Sequence, residues 1–98
     1  MQIRITDSAE VEVVDADDLK ALGLASAGHP PQKVADALER TGLGRVEGEH
    51  AWLSVDALRA GARGDRGDEW VKKFDGMIDY ARTKGWVNDA GEVRAHIE

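Results

Sequence analysis

The sequence predicts a small α+β domain, and three observations carry that prediction. Two short alternating apolar runs, "QIRIT" and "VEVV", sit close together near the start. One run, "EWVKKFDGMIDYARTK", places Trp70, Phe74, Met77, Ile78 and Ala81 at helical spacing. Two further stretches, "RVEGEHAWLS" and "WVNDAGEVRAHI", each read as strand, Gly-containing turn, strand. The expected layout is a set of helices with two short β-hairpins, winged-helix-like or a helix–hairpin repeat, plus an N-terminal strand pair. At 98 residues it is one domain, divided into the strand pair at 1–14, a first helix–hairpin unit at 15–53 and a second at 54–98.

The elements follow in order. Ile3 and Ile5 share one face of the first run, and the polar Asp7-Ser8-Ala9-Glu10 turn separates it from Val11–Val14. "DADDLKALGL" offers Asp15 or Asp17 as helix cap, with Leu19 and Leu22 on one side, and Gly23 and Gly28 keep that helix short. Pro30 and Pro31 suit the first turn of a second helix carrying Val34 and Leu38, and Gly42 ends it. The hairpin that follows turns around Glu47-Gly48-Glu49. Ser54 then caps a helix, "VDALRAGA", expected to end at Gly61. "RGDRGD" has charge and glycine and nothing to bury, so it reads as a loop before a cap at Asp68. Gly76 inside the long helix costs about 1 kcal/mol against Ala, which suggests a close packing contact there. Gly42 and Gly85, and likewise Gly48 and Gly91, lie 43 residues apart, an internal echo of helix, glycine, strand, turn and strand.

Composition excludes several chemistries. The chain has no cysteine, which removes disulfides, thiolate metal sites and cysteine nucleophiles. Its opening lacks the pattern of a secretory signal, and no apolar run approaches a membrane span, so a cytoplasmic location is expected. Heavy use of Ala, Gly, Arg, Asp and Val suggests a high-GC bacterial genome. The net charge is −6, and residues 1–30 contribute −4 of it. Both hairpin tips, Glu47-Gly48-Glu49 and Asn88-Asp89-Ala90-Gly91-Glu92, are acidic. A wing that meets phosphates needs the opposite sign, which argues against nucleic acid as a partner. A basic patch assembled from Arg59, Arg63, Lys72 and Lys73 would reverse that argument.

No motif asks for a cofactor or a metal. "DADD" fails the spacing of a calcium loop, because Leu19 and Lys20 stand where ligands and a glycine belong. The serines lack a nucleophile-elbow context, no phosphate-binding glycine motif exists, and Arg66-Gly67-Asp68 is a coincidence of a charged loop. His29, His50 and His96 lie too far apart in sequence for a local metal pair. His50 and His96 occupy equivalent hairpins, and with a carboxylate would form the core of a small enzyme or metal site. The "MQIRI" opening is similar to that of ubiquitin-like β-grasp proteins, over less than a quarter of the chain, and the helix–hairpin pattern after it departs from them. Three tryptophans against one Phe and one Tyr are the unusual feature. Trp70 reads as core. Trp52 and Trp86, with His50 and His96 beside them, are the candidate partner-binding residues. The favoured function is a non-catalytic protein-interaction or accessory module, with self-association one form of it. The alternatives are a winged-helix-like transcriptional regulator and a small enzyme or metal-binding protein.

Overall fold

The computed structural model describes residues 1–19 and 22–98. It is an α+β structure with three helices and one six-stranded mixed sheet, whose elements run β1 (Gln2–Ile5), β2 (Val11–Val14), β3 (Gly23–Ala25), α1 (Pro31–Thr41), β4 (Gly44–Glu47), β5 (His50–Ser54), α2 (Val55–Arg63), α3 (Asp68–Thr83) and β6 (Glu92–Ile97). Strand order across the sheet is β2-β1-β3-β6-β5-β4. The outer pairs β1–β2, β4–β5 and β5–β6 are antiparallel, while the central β3 runs parallel to both β1 and β6.

Register explains why the sheet has one dry face. Ile3 pairs with Val13 and Leu24, Leu24 with Ile97, Ala51 with Ala95 and Val46, and Leu53 with Val93. These apolar residues therefore line a single side, because strand side chains alternate. They join Val34, Leu38, Leu58, Trp70, Phe74 and Ile78 of the helices in one hydrophobic cluster. The other side carries Arg4, Glu12, Arg45, Glu47, His50, Trp52, Arg94 and His96, all exposed or half-buried. Helix α1 touches both edge strands, β2 and β4, so the sheet curls around the helical layer and its open face is convex.

The N-terminal strand pair, the second helix, the first hairpin and the long helix stand where the sequence places them. Gly42 ends α1 in the left-handed conformation at φ 72°, and its amide bonds back to the last turn. The Ser54 hydroxyl accepts a hydrogen bond from the Ala57 amide at 3.2 Å, capping α2. Replacing Ser54 by Ala leaves that donor unpaired. The expected loss is about 1 kcal/mol, read as a lower urea midpoint with unchanged slope.

Several expectations are corrected. The short helix expected in "DADDLKALGL" is replaced at its end by β3, and Asp15–Asp17 form a turn; the portion of that expectation at 20 and 21 lies outside the described residues. Leu24 is an inner strand residue, completely buried, because β3 must bridge the two halves of the sheet. The two short hairpins are parts of one larger sheet. In the last one, Trp86-Val87 supplies a single bridge, Val87 to Val93, and the long partners of β6 are β5 and β3. The sheet does not confirm a winged-helix layout. Helix α2 continues through Gly61 to Arg63, and the cap of α3 is Gly67 rather than Asp68. Gly76 has no close neighbour: a methyl group there would meet nothing within 4 Å, so packing does not demand glycine.

Candidate functional site

Helix α3 and strand β6 meet at the one place where large apolar side chains remain open to solvent among the described residues. Trp70, Phe74, Ile78 and Ala81 turn into the core from one face of α3. Tyr80, at the edge of that face, is left 54 % exposed. The helix ends at Lys84 and Gly85, and Gly85 adopts φ 78°, which swings the chain back toward the sheet. Trp86 follows directly and is 38 % exposed. Its amide donates to the Ala81 carbonyl at 3.0 Å, and its carbonyl accepts the Arg94 amide at 2.8 Å. Trp86 is thereby held rigidly between helix and strand. Its ring meets Tyr80 edge to face, with centroids 6.4 Å apart.

Together with Met77, Ile78, Val93 and Arg94, these two rings line a notch of about 70 Å³. Two cations stand beside it. The Lys84 ammonium lies over the Tyr80 ring at 5.5 Å. Arg94 is exposed on β6, with Trp52 as its cross-strand neighbour and Trp86 on its other side. Two of the nearby acids are engaged elsewhere. Asp79 pairs with Arg82 at 3.2 Å, and Glu92 binds Arg45 at 3.2 Å and the Asn88 amide at 2.9 Å. The Asn88 hydrogen bond, helped by Arg45 and opposed by partial burial, holds the Glu92 carboxyl below the ordinary carboxylate range.

The four residues singled out from sequence fall on two surfaces. His50 and His96 are direct partners across β5 and β6, and their rings meet edge to face at 5.4 Å. Trp52 shares their open sheet face, half-buried, with the Arg45 guanidinium 5.9 Å from its ring centre. Trp86 belongs to the notch. The structure thus brings His50, His96 and Trp52 together and sets Trp86 at the flank, with Arg94 between the groups.

Carboxylates do not complete the histidine pair as a metal site. His96 lines a hollow of about 380 Å³ with His29, Glu49 and Glu98, but His50 is not part of it. The His29 Nε2 atom is engaged with the Thr6 carbonyl at 2.7 Å. Among the described residues no group of three or more His, Asp or Glu side chains is placed to hold a metal ion. Another hollow, of about 630 Å³ beside Asp15–Asp18 and Arg66, is a wide dish. Its Asp17 carboxylate is tied to Arg66 at 2.7 Å, which holds that carboxyl below its ordinary range.

Neither Tyr80 nor Arg94 is among the candidate residues the sequence points to. Tyr80 lies three residues after Met77, on a stripe displaced from the buried one, and it is the only tyrosine of the chain. Those two facts are the available signal. The basic patch from Arg59, Arg63, Lys72 and Lys73 does not form as a free cluster: Arg59 is bound to Asp75 and Asp56, and Arg63 to Asp68. Among the described residues no helix is long and apolar enough to cross a membrane. In comparison with known proteins, the chain matches no family model, no curated protein and no solved structure.

Proposed function

We propose that this chain is a non-catalytic protein-interaction module whose contact surface is the Trp86–Tyr80 patch at the α3–β6 junction. The observation that carries the reading is the adjacency of Tyr80 and Trp86, the exposed large hydrophobic side chains among the described residues. A ring pair fixed by backbone hydrogen bonds loses little freedom on binding, and Trp leads the residues that dominate interface energies. Trp52 contributes less, because Arg45 and neighbouring strands already cover it.

The test is chemical cross-linking in the native host. A photoreactive side chain placed at Tyr80 is expected to give discrete protein adducts, and the same group at the exposed loop residue Asp65 is not. Adding Trp86→Ala should abolish the adducts while leaving the circular dichroism spectrum unchanged. Trp52→Ala should weaken them less. If Tyr80 yields no more adducts than Asp65, or if Trp86→Ala unfolds the chain, the rings serve the fold and the proposal fails.

A further inference from the structure

The identity of the occupant follows from the chemistry around the notch, and this step rests on the interaction surface just described. Three features converge. The hollow has room for about two water molecules, or one branched aliphatic side chain, and its walls are the apolar groups of Met77, Ile78, Trp86 and Val93. Arg94 lines it and is exposed. Of the eight arginines in the chain, seven have a hydrogen-bond acceptor: Arg4 on Glu12, Arg40 on the Ala9 carbonyl, Arg45 on Glu47, Arg59 on Asp75, Arg63 on Asp68, Arg66 on Asp17 and Arg82 on Asp79. Arg94 has none among the described residues. Lys84, the second cation at the notch, likewise has no carboxylate partner among them.

We infer that the notch receives a segment of a partner protein in which an aliphatic side chain is followed by an acidic one. The aliphatic group fills the hollow between Trp86 and Met77, and the carboxylate takes the free guanidinium of Arg94 in a two-pronged hydrogen bond. Lys84 adds a point charge beside it. The charge logic is local. The chain carries −6 overall, yet at this junction Asp79 and Glu92 are held by Arg82 and Arg45, leaving two unneutralised cations. A long acidic polymer is repelled by the rest of the surface, whereas a single carboxylate next to an apolar anchor is placed against Arg94 and Lys84. A second copy of this chain brings the same net charge with it, so a foreign segment is the better match.

The probe is a set of three short peptides, acetylated and amidated, with Leu-Glu, Leu-Gln or Ala-Glu at the centre. Binding is read from the Trp86 indole resonance in ¹H–¹⁵N spectra, which also reports the fold of each variant. The Leu-Glu peptide is expected to bind about tenfold more tightly than either of the other two, and to weaken as salt rises from about 0.05 to 0.5 M. Arg94→Gln should remove the preference for Leu-Glu over Leu-Gln without shifting the rest of the spectrum, and Lys84→Gln should reduce it. Equal affinity for Leu-Glu and Leu-Gln, or an Arg94→Gln chain that keeps the preference, overturns the inference. So does concentration-dependent dimerisation that Trp86→Ala abolishes, since the occupant would then be a second copy. Adducts at Tyr80 combined with no peptide discrimination leave the interaction surface standing and remove only the acidic–aliphatic occupant. Loss of both the adducts and the discrimination removes the surface as well.

Discussion

Phe74→Ala should destabilise the chain by about 3–5 kcal/mol, the largest loss expected of any single truncation in the core. Phe74 is completely buried and is the largest side chain so enclosed. One side of its ring stacks on Trp70 at 5.3 Å, with 25° between the planes. The guanidinium of Arg59, on α2, lies 5.5 Å from its centre and is itself fixed to Asp75 of α3 at 2.7 Å. Trp70 in turn donates its indole hydrogen to the Ala16 carbonyl at 2.8 Å, tying α3 to the turn after β2. Truncation leaves a cavity under α3 and releases the stacking partner that orients Trp70. A domain of this length is stable by about 5–15 kcal/mol, so the variant is left with a thin margin or none. Urea unfolding followed by tryptophan fluorescence measures it. A loss under about 1 kcal/mol would mean that α3 does not pack through this ring.

The N-terminal strand pair, the first hairpin, the long helix and the terminal glycines were legible because each is encoded locally. Alternation marked β1 and β2, spacing marked the buried face of α3, and Gly42 and Gly85 marked the helix ends. What sequence could not show was how these pieces pair over long distances. Strand β3 has only three residues, Gly23-Leu24-Ala25, and their small size and the neighbouring glycine look like a helix end. Its strand state comes from position: it fills the gap between β1 and β6, and its central Leu24 is shut in from both sides. Nothing within "ALGLAS" announces that. The same non-local pairing turns two apparent hairpins into one sheet, since β6 spends its length on β5 and β3 and leaves Val87 a single bridge.

The site was legible in half. Trp86 was visible as an aromatic residue placed after a helix stop, and its exposure follows from the turn at Gly85. His50 and His96 were visible as equivalent hairpin positions, and the register sets them face to face. Arg94 is the only base between Trp86 and Ile97, beside an acidic turn. In the folded chain one of the two acids of that turn, Glu92, is directed to Arg45 and Asn88, and Asn88 accepts from the amides of Ala90 and Glu92; the other, Asp89, is exposed on the turn. Arg94 keeps no ion-pair partner among the described residues. Counting charges along the chain gives the total but not which charges remain free, because ion pairing across strands decides that.

Gly44→Ala is the second large effect, and its cause is steric where that of Phe74 is a cavity. Gly44 opens β4 and pairs with Leu53. The main chains approach so closely there that an added methyl carbon would stand 2.1 Å from the Trp52 carbonyl oxygen and 3.0 Å from the Leu53 Cα. Both obstacles are backbone, so no side-chain rotation relieves them. Strand β4 has to move away from β5, which strains the register that sets Arg45 against Trp52 and the bond from the Ser54 amide to the Leu43 carbonyl. The cost of such overpacking is about 1–3 kcal/mol and rises where backbone must shift, so about 3 kcal/mol is expected. Gly76→Ala is the matched control. That position sits in mid-helix with open space around it, and alanine should stabilise the chain by about 1 kcal/mol. The two substitutions are chemically identical and expected to have opposite signs in urea midpoint. Equal and small shifts would show that β4 and β5 do not approach at Gly44, and the edge of the sheet beside Trp52 would then have to be redrawn.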